Sequence, residues 1–471
     1  MSSPTLTAVA IALALLGTES LHGKAAAPRG LGQSEGTARF EIAQSDLLID
    51  DRLPIVVSGL PPNATVTIRL RGGAKDEWTS NATFVADAGG KIDLARVAPV
   101  RGVYKDADPM GLFWSVERST TGRPNPSDAA EEDDGPATPD SWTLGAEING
   151  TTIARANLRR RAVSSDVRVT PIQTNGIIGT FYEPPGQGRH PAVLVLGGSN
   201  GGIPPAGGPA GGLASRGYAV LALAYFGVKG LPSTLSNIPI EYFGNALDWL
   251  ASQPSVDPDR IGVLGSSRGA ELALLLGVTF QHLRTVVAYM PSNVVWGGCC
   301  DASTVYAWTV HGRPVASMPR PGRRTLLDAL RAEIPVERIH GGVLLISGRD
   351  DGVWPSAEMA SKIVARLRQN DFKFPFESLV YEHTGHGITR PYTTTMELNS
   401  RRHPLSGRVV HMGGTPSGTA KAREESWPHV LEFIDRNVKG APTSSFAHAG
   451  VEDLSRLLTP FTASRSTFGE R

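Results

Sequence analysis

Between residues 190 and 350 the chain repeats one rhythm of apolar run, turn and helical stripe. The apolar runs are PAVLVLG (191–197), YAVLALAYF (218–226), RIGVLG (260–265), TVVAYM (285–290) and GVLLISG (342–348). Each is continuous rather than alternating and rich in branched residues, the pattern of strands buried on both faces. Between them, Phe243, Ala246, Leu247 and Leu250 of EYFGNALDWLASQ recur at i, i+3, i+4 and i+7, one apolar face of a helix. Strands alternating with helices predict an α/β fold, a mainly parallel sheet covered on both faces, over residues 166–440.

Ahead of residue 165 the period is different. Short β-branched runs at 53–60 (LPIVVSGL), 64–70 (ATVTIRL) and 82–94 (ATFVADAGGKIDL) are punctuated by Pro61-Pro62-Asn63 and Gly89-Gly90. Strands at this spacing predict a small immunoglobulin-like β-sandwich over 36–160, to which Thr143–Leu158 returns. The stretch 119–141, rich in proline, serine and acid, reads as a surface insertion in that domain. Residues 441–471 form a Ser/Thr-rich tail with a short helical candidate at Val451–Leu458.

The run AVAIALALL (Ala8–Leu16) is nine residues long, about half of what a membrane span needs, so no integral membrane segment is expected. It fits the core of a signal peptide over 1–27, with small residues at Ala25–Ala27 for cleavage, although no Lys or Arg precedes it. Export to the periplasm or medium is the expectation, with a cytoplasmic protein carrying an N-terminal extension as the alternative. Composition narrows the rest. A net charge of +1 from 46 basic and 45 acidic residues gives no nucleic-acid surface. Two cysteines make neither a disulfide framework nor a four-thiolate zinc site. They are adjacent, Cys299 and Cys300, and a bridge between neighbours would be strained, so two free thiols are expected.

The chemistry concentrates at strand ends. Gly265-Ser266-Ser267-Arg268-Gly269 follows a strand and opens a helix, the setting of a nucleophile elbow in an α/β-hydrolase, with Ser267 as nucleophile. A second match, Gly197-Gly198-Ser199-Asn200-Gly201, runs into Pro204-Pro205 and cannot start a helix at once. It reads better as the glycine-rich loop whose Gly198 and Ser199 amides, with that of Arg268, would form an oxyanion hole. The base and its orienting acid should follow in the order acid, then histidine. Asp350 and Asp351 both stand after the strand GVLLISG, and the pattern alone leaves both open. His386, flanked by Gly385 and Gly387, has room to turn toward Ser267 and is preferred over His383. No histidine shows metal-ligand spacing such as H-E-x-x-H, so neither a metal nor an organic cofactor is expected.

Longer motifs carry a resemblance. Trp78–Phe84 (WTSNATF), Asp108–Ser115 (DPMGLFWS), Gly179–Pro185 (GTFYEPP), the GGSNGG loop, Leu231-Pro232, Glu241-Tyr242-Phe243 and Thr384–Tyr392 (TGHGITRPY) together resemble the family of type I acyl-CoA thioesterases and bile acid-CoA:amino acid N-acyltransferases. The likeness spans roughly residues 40–438. It implies a β-sandwich followed by an α/β-hydrolase domain, with Ser267, Asp351 and His386 as the triad. Family members that transfer acyl groups to amines carry cysteine as nucleophile, so serine here implies hydrolysis. The substrate implied is a small acyl thioester, fatty acyl-CoA first. The rival readings are an extracytoplasmic carboxylesterase or amidase, an amine acyltransferase, and a silent binding module. N-terminal sequencing of protein from its native host is expected to find the mature chain starting between about Gly23 and Gly30. An intact Met1 or Ser2 would exclude export through this segment.

Overall fold

The computed structural model describes residues 37–73, 76–118, 139–300, 306–319, 325–398 and 400–439. The signal-peptide segment, all but the last three residues of the 119–141 insertion, and the tail with its helical candidate lie outside the described residues.

Residues 39–161 build two sheets around one apolar core. Arg39–Glu41, Val56–Ser58 and Ile92–Asp93 form a three-stranded antiparallel sheet. The larger sheet runs in the order Asp46–Leu48, Thr151–Arg161, Ser141–Ile148, Thr65–Gly72, Trp78–Val85, Arg101–Gly102, with Glu117–Arg118 also paired to Trp78–Val85. Alternation decides the faces: Val66, Ile68 and Leu70 are buried while Thr65, Thr67 and Arg69 between them are not. The run 82–94 breaks ahead of Gly89-Gly90 and divides between the two sheets. The Asp87 carboxylate accepts the Gly89 and Lys91 amides at 2.9 and 2.8 Å, making a turn that carries the chain across the core. One short helical turn, Gly111–Trp114, is buried whole. Asp108 holds it, accepting the Met110 amide at 2.8 Å and the Trp114 indole N–H at 2.6 Å.

The main sheet of the second half has eight strands: β1 (Arg168–Thr174), β2 (Ile177–Glu183), β3 (His190–Leu196), β4 (Ala219–Ala224), β5 (Val256–Ser266), β6 (Thr285–Tyr289), β7 (Gly342–Gly348) and β8 (Phe376–Tyr381). Their order is β1-β2-β4-β3-β5-β6-β7-β8. The first two are antiparallel to their neighbours, and all others are parallel. This is the α/β-hydrolase sheet. Both faces are covered, which is why the strands read as unbroken apolar runs. On one face Leu194, Leu196, Leu221 and Leu223 pack with helices α2 (Ile240–Ala251), α3 (Arg268–Thr279) and α5 (Ser356–Gln369). The stripe Phe243, Ala246, Leu247 and Leu250 of α2 is wholly buried there. On the other face Val193, Val195, Val220 and Ala222 pack with α1 (Pro209–Ala214) and α6 (Pro416–Ile434). A further short helix, α4 (Leu326–Ala332), lies in the excursion between β6 and β7. Among the described residues no helix is long and apolar enough to cross a membrane.

A buried carboxylate joins the two halves. Asp50, just beyond the Asp46–Leu48 strand, accepts the Arg390 guanidinium at 2.6 Å, the Trp427 indole N–H at 2.7 Å and lies 2.8 Å from Arg216. The side chains of Asp50 and Arg390 are both fully covered. Arg160 of the sandwich donates to Tyr392 O at 3.1 Å and to Ile49 O, with its guanidinium over the Phe113 ring. Burial alone would push the Asp50 carboxyl up. Arg390, Arg216 and Trp427 outweigh it and hold the group below its ordinary value of 3.8. The stability contributed by this depressed group is complete above the unfolded value and is lost as pH falls through the folded one. Asp50→Asn leaves a buried guanidinium without its counter-charge and should cost about 3–5 kcal/mol near neutral pH. Urea and thermal midpoints check this. The variant should also lose less of its remaining stability than the parent between pH 5 and 2.

Candidate active site

The elbow is built where β5 ends and α3 begins. Ser267 takes φ 55° and ψ −119°, a conformation that costs a non-glycine residue about 1–3 kcal/mol. The surroundings hold it there: its N–H donates to Tyr289 O at 2.9 Å, and its carbonyl accepts the Ala270 amide at 2.9 Å. The flanking glycines are required by close approach. A Cβ on Gly265 would collide with Gly269 O, and one on Gly269 with Gly197 O. The turn therefore carries the Ser267 side chain outward from the strand ends.

His386 meets it there. His386 Nε2 lies 2.8 Å from Ser267 Oγ, and its Nδ1 lies 2.8 Å from Asp351 Oδ2. The imidazole is 6% exposed and the Asp351 carboxylate fully covered. Asp351 Oδ1 is already occupied, accepting the Val353 and Trp354 amides at 2.9 and 3.2 Å. A carboxylate only accepts, so the imidazole donates Nδ1–H to Asp351 and leaves Nε2 to accept from the serine hydroxyl. Asp350 does not reach the site. Its carboxylate is half exposed and lies 3.7 Å from the exposed His383. Adjacent residues thus turn opposite ways, one pair inward and the other to solvent.

The two loops that bear Asp351 and His386 are fastened by a third that sequence reasoning missed. Met412 O accepts the His386 amide at 2.7 Å and the Gly352 amide at 3.0 Å. Gly413 bridges to Asp351 and Gly414 to Thr384. Gly413 has φ 75°, and a Cβ on it would collide with Asp350 O. The Gly413-Gly414 dipeptide was the available signal, as a turn mark with no recognised partner.

Aromatic residues wall the histidine. Trp354 meets His386 edge to face at 5.2 Å, and Trp296 stacks on Trp354 at 6.3 Å and 8°. Trp296 in turn is pinned to the elbow: Arg268 donates to Trp296 O at 3.0 Å and to Gly297 O at 2.8 Å. The Arg268 side chain pairs with the fully buried Glu271 at 3.2 Å, and Trp308 donates to Glu271 at 2.8 Å. Burial pushes the Glu271 carboxyl up, against the pull of Arg268 and Trp308. Arg268 and Glu271 stand at i and i+3 of the helix, a spacing that lets them pair, but the 296–297 carbonyls that the pair holds lie outside any local pattern.

The glycine-rich loop lies against the nucleophile. A Cβ on Gly198 would stand 3.3 Å from Ser267 Cβ and 3.8 Å from its Oγ. Tyr225 O–H donates to Gly197 O at 2.6 Å, and the Gly202 amide donates to Phe226 O at 2.9 Å, which anchors both ends. The Arg268 amide is the first of α3 and has no acceptor within its own helix. Cys299 and Cys300 depart from expectation: they are joined in a vicinal disulfide rather than left as free thiols. The bridge sits in a turn where Cys300 takes φ 76°, a backbone freedom that spacing does not reveal. Cys300 Sγ lies 3.5 Å from Ser199 O.

Comparison with known proteins bears on this geometry. Residues 238–440 match the family model described as BAAT / Acyl-CoA thioester hydrolase C terminal, and residues 50–174 match the Acyl-CoA thioester hydrolase/BAAT N-terminal region. Acyl-coenzyme A thioesterase 1 of Rattus norvegicus is 31% identical over 406 residues, covering 83% of this chain and 94% of that protein. The chain belongs to the acyl-CoA thioester hydrolase/BAAT family. Mitochondrial acyl-coenzyme A thioesterase 2 of Rattus norvegicus is 30% identical, over 83% of this chain and 87% of that protein. Acyl-coenzyme A thioesterase 1 of Homo sapiens is 28% identical, over 83% and 94%. Among solved structures, a Mycobacterium tuberculosis puromycin-hydrolyzing peptidase is 13% identical, with a TM-score of 0.40, over 83% of this chain and 69% of that one. This member of the acyl-CoA thioester hydrolase/BAAT family is a hydrolase.

The junction of the three loops can be tested directly. Gly413→Ala forces the 411–414 segment off Asp350 and should separate the acid loop from the histidine loop. Turnover is expected to fall at least about tenfold, as when the partners that orient a functional side chain are lost. The thermal midpoint should move only slightly. Unchanged turnover would show that the junction does not hold the site.

Proposed function

We propose that the protein hydrolyses acyl thioesters, fatty acyl-CoA first among them, through an acyl-enzyme on Ser267. The observation that carries this reading is the unbroken chain Ser267–His386–Asp351, 2.8 Å at each link, with the free oxygen of Asp351 saturated by backbone amides.

In this reading Ser267 Oγ attacks the thioester carbonyl while His386 Nε2 takes the hydroxyl proton, and Asp351 stabilises the imidazolium that forms. The developing oxyanion is met by the Arg268 amide, at the N-terminal end of α3, and by the amides of Gly198 and Ser199. Collapse breaks the carbon–sulfur bond. The thiolate departs readily, since a thiol has a pKa of about 8.5, and the imidazolium returns the proton to it. Water then attacks the acyl-enzyme, His386 takes its proton, and the free acid leaves with Ser267 restored. Support for thioesters over other acyl donors comes from the thioesterase relatives, and serine at the nucleophile position supports water over an amine as acceptor. Oxygen esters and amides would meet the same machinery with poorer leaving groups.

A hydrolysis panel on the purified protein, with acyl-CoAs of several lengths beside simple esters and amides, tests the substrate. Faster turnover of an ester or amide than of every thioester would overturn the proposal. Two sets of variants test the mechanism. Ser267→Ala should lose several orders of magnitude in turnover and all labelling by a fluorophosphonate, while folding stays intact. Asp351→Asn should cost about 10⁴, the loss seen when a triad histidine is left in the wrong tautomer. Asp350→Asn should cost at most about tenfold. A larger loss at Asp350 than at Asp351 would reverse the assignment.

A further inference from the structure

A second histidine reaches the glycine-rich loop that lies against the nucleophile. His403 sits at the turn of a small hairpin formed by Arg401–Arg402 and Val409–Val410, just ahead of the Met412–Gly414 junction. Its Nδ1 accepts the Ser406 amide at 3.2 Å, and its Nε2 lies 3.1 Å from Ser199 Oγ. An imidazole nitrogen that accepts from a backbone N–H carries no proton, so the proton of this ring is on Nε2. Burial favours that neutral form, holding the imidazole below its ordinary value against the pull of the Ser199 backbone. Nε2–H lies 3.1 Å from Ser199 Oγ and 3.9 Å from Cys300 Sγ, with the Ser199 backbone beside it, and the hydroxyl oxygen is a nearer and better acceptor than the sulfur.

The loop this bond reaches needs holding. Its ends are anchored through Gly197 O and the Gly202 amide, whereas Gly198, against Ser267, is held by a long 3.4 Å bond from Tyr225 O–H to its carbonyl and has no side chain by which to be fixed. Ser199 Oγ supplies a side-chain handle between those anchors. We infer that His403 is a positioning residue: by donating Nε2–H to Ser199 Oγ, it fixes the 198–199 backbone so that its amides face the acyl carbonyl held at Ser267. The hairpin therefore fastens the glycine-rich loop, as the adjoining glycines fasten the acid and histidine loops. The inference rests on the serine acyl-enzyme reading, since a loop with no oxyanion to bind would have no use for the restraint.

The test compares His403→Leu, His403→Gln, Ser199→Ala and the double variant His403→Leu/Ser199→Ala. The readouts are kcat and KM on palmitoyl-CoA and inhibition by a long-chain trifluoromethyl ketone, whose hydrate or hemiketal oxygen occupies the oxyanion position. His403→Leu should lower kcat by about ten- to a hundredfold, below the roughly 10²–10³ of losing an oxyanion donor outright. KM should hold within about threefold and the inhibition constant should rise in step with the loss in kcat. His403→Gln, whose amide N–H can replace Nε2–H, should recover most of the loss. Ser199→Ala should match His403→Leu, and the double variant should lose no more than either, as residues acting through one bond do. Unchanged kcat and inhibition in both single variants would overturn the inference, as would losses that multiply in the double variant. If His403→Leu does not fold, Ser199→Ala and His403→Gln against the parent still decide it. Fluorophosphonate labelling of the parent separates the two levels. An enzyme labelled at Ser267 but indifferent to His403 refutes this inference alone, whereas absence of labelling refutes the reading beneath it.

Discussion

An imidazole that touches a hydroxyl through one nitrogen and a carboxylate through the other leaves almost no freedom to the chain that carries the three groups. Ser267, Asp351 and His386 come from the ends of three different strands, β5, β7 and β8, and must meet within hydrogen-bond distance. A parallel sheet places those ends on one edge. It does not bring them into contact, because ordinary side chains on the intervening loops would hold the backbones apart. Here the loops touch backbone to backbone. Gly265 and Gly269 let β5 turn against Gly197, and Gly413 lets the 411–414 segment lie on the acid loop. The glycines contribute nothing to the chemistry, yet they set how closely its parts can stand.

Arginines do the complementary work from the interior. Arg390 follows His386 by four residues and is tied to Asp50, while Arg423 of α6 donates to Gly387 O at 2.7 Å and to Thr394 O at 3.2 Å. Arg268 plays the same part beside the elbow, with Glu271 as its counter-charge. Guanidinium groups suit this role because one planar group can satisfy several loop carbonyls that no secondary structure reaches. The histidine loop is thus held by several directional bonds as well as by the buried Ile388 and Tyr392.

What could be read from the chain divides along physical lines. The strands of the parallel sheet were legible because burial on both faces leaves a continuous apolar signature, as in PAVLVLG and GVLLISG. The elbow and the preference for His386 over His383 were legible because turn chemistry is local. The choice between Asp350 and Asp351 was not, since both orientations suit the same loop, and only likeness to a family favoured Asp351. Asp50–Arg390, Trp354, the reach of Arg268 to the 296–297 carbonyls and the Gly413-Gly414 junction escaped because their partners lie tens to hundreds of residues away or act through backbone. The cysteine pair was misjudged for a related reason: a residue at positive φ alters what two neighbours can reach, and no spacing announces it.

The contacts around residues 390–395 also bear on how such a chain can evolve. Thr394 O–H donates to Val116 O at 2.6 Å, the Thr395 amide to Trp114 O at 2.9 Å, and Arg160 to Tyr392 O at 3.1 Å. A sandwich inherited from elsewhere would have to present an acid where Asp50 stands, a cation where Arg160 stands, and free carbonyls at the places of Trp114 and Val116. Without them the segment downstream of His386 would lose its internal hydrogen-bond partners. The two halves are therefore poor candidates for exchange by recombination, and a lineage that reshapes one must revise the other at the same few positions.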